Sequence, residues 1–132
     1  MTATVRYLGN LRCESTHIKS GNTFYTDAPL DNHGKGEAFS PTDTVAAALA
    51  SCMLTVMGIK AQDLEIHIAG SEAAVTKHMA TDPRRISQID VVLTMQGNCD
   101  KRTQLILERT ALTCPVYNSL HTDVKKLVTF IW

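Results

Sequence analysis

The sequence has no excess charge of either sign, no C-x-x-C pair, and no uncharged run long enough to cross a bilayer. Thirteen Lys and Arg balance thirteen Asp and Glu over 132 residues. The basic side chains are spread from Arg6 to Lys126, so no concentrated field is available to hold a phosphate backbone or an anionic membrane. Neither nucleic acid nor a membrane is expected as a partner. The longest uncharged run, Thr44 to Ile59, is interrupted by Thr44, Ser51 and Thr55, which suits a core helix better than a span. Nothing in MTATVRYLGNLRCE reads as a secretory leader, so the cytoplasm is the expected compartment. The five histidines (His17, His33, His67, His78 and His121) are scattered without metal-ligand spacing, and neither a metal nor a cofactor is expected.

What the chain does have is a composition of 44% hydrophobic and 20% charged residues, enough apolar surface for one globular domain spanning 1–132. Its softest stretch is Asp27 to Ala38, DAPLDNHGKGEA. Before it, Thr4 to Leu8, Leu11 to Ile18 and Thr23 to Thr26 carry strand patterns joined at Gly9-Asn10 and Ser20-Gly21-Asn22, which predicts an antiparallel meander. Ser40-Pro41-Thr42-Asp43 then sets a hydroxyl at the N-cap, proline at the first helical position and a carboxylate at N3, a variant of the capping box. The helix that follows, to about Lys60, is apolar on nearly every face and is expected to be enclosed by other elements.

Beyond it, Leu64 to Ile68 alternates as a strand, Glu72 to Met79 is a weaker strand, and Asp82-Pro83 breaks the chain. Ile89, Val91, Leu93 and Met95 give a strand with one core face. A helix capped by Asn98 or Asp100, a short helix from Pro115 to Leu120, and a final strand from Val124 to Trp132 complete an α+β order.

Four cysteines, Cys13, Cys52, Cys99 and Cys114, are expected to be reduced. Any chemistry between them must come from residues that folding brings together. Cys114 precedes Pro115, so the pattern places it at the N-cap of the short helix, where free amides favour a thiolate. The alternative is a small buried cap residue. Cys52, among Ala48, Leu49, Val56 and Met57, reads from its neighbours alone as a packing residue. Cys13 and Cys99 read as incidental thiols.

Two segments carry a family resemblance. Phe39-Ser40-Pro41-Thr42-Asp43-Thr44 through Ala47-Ala48-Leu49-Ala50-Ser51-Cys52 resembles the first cysteine helix of the OsmC/Ohr family. Leu112-Thr113-Cys114-Pro115-Val116-Tyr117-Asn118-Ser119-Leu120 is similar to its second cysteine motif. The resemblance extends from Val5 to Phe130. It implies an OsmC-like fold, with antiparallel sheets wrapped around long central helices in an intertwined homodimer. It also implies reduction of organic or fatty-acid hydroperoxides, with Cys52 as the peroxidatic thiolate, Cys114 as the resolving thiol and an external dithiol as reductant.

In the hydroperoxide-resistance branch a glutamate, just after the proline, holds an arginine over the thiolate, and here Thr42 takes that place. Asp43 or Glu37 is the substitute carboxylate. Arg12, preferred over Arg6 for its turn context, is the expected cation. The missing glutamate also leaves a second reading open: a non-catalytic dimer that binds a hydrophobic small molecule in the same apolar pocket.

Overall fold

The computed structural model describes residues 1–132, folded as two compact units, Met1–Val45 and Ala46–Trp132. In the first unit, β1 (Ala3–Gly9), β2 (Arg12–His17) and β3 (Thr23–Asp27) form the expected antiparallel meander. Its first turn is built on positive φ at Gly9, Asn10 and Leu11. A short 3-10 turn, Leu30–Asn32, lies within the soft stretch. Only Thr26, Asp27 and Ser40 are buried in this unit. Val5, Tyr7, Ile18, Phe24 and Phe39 all remain exposed.

Helix α1 (Pro41–Asp63) starts on the capping box that the sequence predicts. The Ser40 hydroxyl accepts the Asp43 amide at 3.1 Å, and the Asp43 carboxylate accepts the Ser40 amide at 2.9 Å. The helix stops just after the predicted end, and its stop overturns the strand expected at Leu64 to Ile68. Glu65 takes a left-handed φ of 57°. Its amide bonds to the carbonyl of Gln62 and that of Ile66 to Ala61. This is a Schellman closure with a glutamate where glycine is usual. The segment is therefore helix termination and loop, and Ile66 and Ile68 pack on the core from it.

In the second unit, β4 (Glu72–Ala80) pairs antiparallel with β5 (Arg85–Thr94), and β6 (Lys125–Ile131) lies on the other side of β5. The β5/β6 pair is parallel, so this sheet is mixed and not wholly antiparallel as the resemblance implied. The intervening helices α2 (Lys101–Ala111) and α3 (Pro115–Ser119) form the crossover that a parallel pair requires. Ile89, Val91 and Leu93 face the core with Leu107 and Ala111 of α2.

From α1, a single stripe of Ala46, Leu49, Ala50, Met53, Met57 and Ala61 is buried, while Val45 and Ile59 stay exposed. The expectation of a helix enclosed on all sides is thus met on one side within this chain, because a three-stranded sheet and two short helices cover only one face. By length and composition α1 is apolar enough to cross a membrane, a test that the core helices of soluble proteins also pass.

Candidate functional site

Asp100 caps α2 by accepting the Thr103 amide, and the helix runs out at Leu112. The chain turns extended at Cys114 (φ −65°, ψ 151°), and Pro115 opens α3. Proline suits that first helical position because its missing N–H would have no helical partner there. Cys114 is therefore the N-cap that its sequence position predicts, and its Sγ accepts the Tyr117 amide at 3.4 Å. It is 1% exposed.

Cys52, midway along α1, is half-buried and packs against the same core. Its thiol lies close enough to Cys114 to raise the Cys114 thiol. Two cysteines distant in sequence are thus brought together inside the second unit.

Of the two sequence readings of Cys114, the electrostatics favour the small buried cap residue over the N-cap thiolate. Burial pushes its thiol up, the Tyr117 amide partly offsets this, and the proximity of Cys52 raises it further. A single turn of helix donates too little to overcome desolvation at a site closed to water. Cys114 is held as a thiol, while Cys52 is the more accessible of the two.

The first unit holds the expected cation, Arg12, between two carboxylates. Arg12 donates through Nε and Nη2 to the two carboxylate oxygens of Asp27, at 2.7 and 2.8 Å, and through Nη2 to Glu37 at 3.2 Å. Asp27 is 3% exposed. The guanidinium hydrogen bonds hold its carboxyl below the usual range, and the Arg12 pKa is raised in turn. The Tyr25 ring lies 5.8 Å from the guanidinium carbon. With Leu8, Gly9, Asn10 and Lys35, these three charged residues line a cleft of about 140 Å³.

Of the two carboxylates expected on the arginine, Glu37 is there and Asp43 is not, since Asp43 is engaged in capping α1. Thr42 joins that cap through its hydroxyl, 3.1 Å from the Ser40 Oγ. Arg6, the other candidate, is exposed on β1 opposite Glu14. Asp27, the principal partner, was missed. The register that sets Arg12 opposite Asp27 is centred between Lys19 and Ser20, short of the Ser20-Gly21-Asn22 turn that the sequence suggests, so the pairing was not legible there. Of the remaining cysteines, Cys13 lies on β2 beside a cleft shared with Tyr7, Leu11 and Asp27. Burial raises the thiol of Cys99 next to Asp100.

A capped core helix carrying one cysteine, a second cysteine capping a short helix against it, and a three-stranded sheet behind them define an α+β dithiol protein. The OsmC-like protein family model matches residues 34–126, and the chain belongs to that family. The matched stretch contains both cysteines and Glu37, and Arg12 and Asp27 precede it.

A crystal structure from Psychrobacter arcticus, described as an osmotic stress induced and detoxification response protein, is 54% identical, covering 98% of this chain and 95% of that one with a TM-score of 0.95. Two more distant structures share the fold. An organic hydroperoxide resistance protein OsmC from Legionella pneumophila is 16% identical, with coverage of 98% and 95% and a TM-score of 0.75. An organic hydroperoxide resistance protein from Elizabethkingia anophelis is 12% identical, with coverage of 99% and 96% and a TM-score of 0.76. No curated protein matches the chain.

Proposed function

We propose that the protein is a thiol-dependent reductase of organic or fatty-acid hydroperoxides that works as a homodimer, with Cys52 attacking and Cys114 resolving. The observation that carries this reading is the juxtaposition of two cysteines of unequal exposure, Cys52 half-buried and Cys114 closed to solvent. The more accessible sulfur suits the encounter with substrate. The Cys52 thiolate attacks the distal oxygen of ROOH, the O–O bond breaks, and the alkoxide takes a proton and leaves as ROH. Cys52 becomes a sulfenic acid. Cys114, deprotonated as it reacts, attacks the Cys52 sulfur and expels the oxygen as water, giving a disulfide that an external dithiol reduces. The hydroperoxide-resistance descriptions of the Legionella and Elizabethkingia structures support this substrate class.

The resemblance assigns the cation that favours the Cys52 thiolate to Arg12. The binding reading drew its force from the missing glutamate at Thr42, and Asp27 supports the catalytic reading against it by offering another carboxylate that grips the guanidinium at two points. The dimer is supported by the first unit, which buries no apolar side chain and leaves Phe39 61% exposed. A meander of this size has no stability of its own without a cover. Sedimentation should find a dimer, and a folded monomer at low concentration contradicts this part of the proposal.

Roles are separated by single-turnover oxidation in the presence of a sulfenic-acid trap. Cys52→Ser should form no sulfenic acid, whereas Cys114→Ser should form it at Cys52 and stop there. Equal loss in both variants contradicts the assignment.

A further inference from the structure

The inward face of β6 reads Lys126, Val128 and Phe130, alternating with the exposed Lys125, Leu127, Thr129 and Ile131. Val128 and Phe130 pack on the core as alternation requires. Lys126 breaks the pattern: it sits opposite Ile89, which is fully buried, at a position suited to an apolar side chain. A lysine there is costly unless its ammonium finds a partner. Its partner is the ring of Tyr117, with Nζ 4.9 Å from the centroid. Tyr117 belongs to α3, and its own amide donates to Cys114 Sγ.

We propose that Lys126 is a positioning residue for Cys114: its contact with Tyr117 clamps α3 to β6 and keeps the Tyr117 amide on the sulfur that resolves the oxidised Cys52. A five-residue helix has little internal cohesion. A lateral anchor on its one aromatic side chain fixes both where α3 lies and which amide meets the thiol. The step concerned is attack of the Cys114 thiolate on the Cys52 sulfenic sulfur, with loss of water. Among charged and titratable groups, Cys52 of α1 acts on Cys114 directly and Lys126 of β6 acts through Tyr117.

The inference rests on the resolving role proposed for Cys114, and two measurements keep the failures apart. Lys126→Met removes the charge and keeps a side chain of similar length over the ring. In single turnover with cumene hydroperoxide, the disulfide step should slow about three-fold, the size of an ordinary cation–π contact. Lys126→Arg should restore it. The rate of sulfenic-acid formation in the same samples serves as the reference. A Met variant that closes the disulfide at the wild-type rate overturns the inference. If the wild-type chain forms no disulfide at all, the resolving role itself fails.

The positioning claim is tested independently of turnover by alkylating Cys114 with iodoacetamide across pH in a Cys52→Ser background. Adding Lys126→Met should move the profile up by about half a unit, the same three-fold. Superimposable profiles overturn the inference.

Discussion

Replacing Ser40 by alanine tests how α1, the element that carries Cys52, is anchored. The Ser40 hydroxyl accepts the Asp43 amide at 3.1 Å and lies 3.1 Å from the Thr42 hydroxyl. Ser40 is 1% exposed, so water cannot reach the Asp43 amide through the space the hydroxyl leaves. Alanine at an N-cap costs about 0.5–2 kcal/mol, and a donor stranded away from solvent belongs at the top of that range. About 2 kcal/mol is roughly a thirty-fold fall in the folding constant. In a chain of this size it lowers the melting temperature by about 8 °C.

The measurement is urea and thermal unfolding at one fixed protein concentration, because dimerisation would couple stability to concentration. A double-mutant cycle with Asp43→Ala should show coupling, since each residue caps the other's amide. First-turnover oxidation per folded molecule should be unchanged, as the cap lies three turns from Cys52. A loss of stability under about 0.5 kcal/mol, or strict additivity with Asp43→Ala, would refute the reciprocal cap as the anchor.

Other expectations follow from the same geometry. Asp27→Asn should destabilise the first unit at pH 7. Because the folded-state pKa of Asp27 is depressed, its contribution is fully present above the unfolded value of about 4 and is lost as pH falls through the lower folded value. The stability gap between wild type and variant should hold at pH 5 and close only below about 4; a gap already closing at pH 6 contradicts it.

Cys114, raised by burial, should react with iodoacetamide more slowly than a free thiol at pH 8 in the Cys52→Ser variant, and continue to gain rate above pH 9. A profile that levels off below pH 8 would contradict the burial argument. Gly97 has φ +106°, and a Cβ there would stand 2.6 Å from the His67 carbonyl oxygen. Gly97→Ala should cost at least about 2 kcal/mol in denaturant unfolding, and a neutral effect would refute this account of the β5 to α2 turn.

The parts of the fold that were legible in the sequence are those whose chemistry is local. Ser40 and Asp43 announce the start of α1 because each serves the other's backbone within four residues. Cys114 announces its N-cap because proline follows it. The alternation from Ile89 to Leu93 announces a strand because one face alone is buried. The readings that failed depended on neighbours that alternation does not encode. Leu64 to Ile68 alternates, yet the amides of Glu65 and Ile66 are taken by the last turn of α1.

The partner of Arg12 required strand register, which turns a loop-edge aspartate into the residue directly across the sheet. The choice between the two readings of Cys114 required its burial, which sequence position alone does not supply. The face of α1 left uncovered by this chain reflects how little a three-stranded sheet and two short helices can enclose.

The most direct measurement is a thiol count and peptide map after one equivalent of cumene hydroperoxide. The account predicts the loss of two thiols per chain and a single linked peptide joining Cys52 to Cys114. An unchanged thiol count, or a linkage through Cys13 or Cys99, would contradict it.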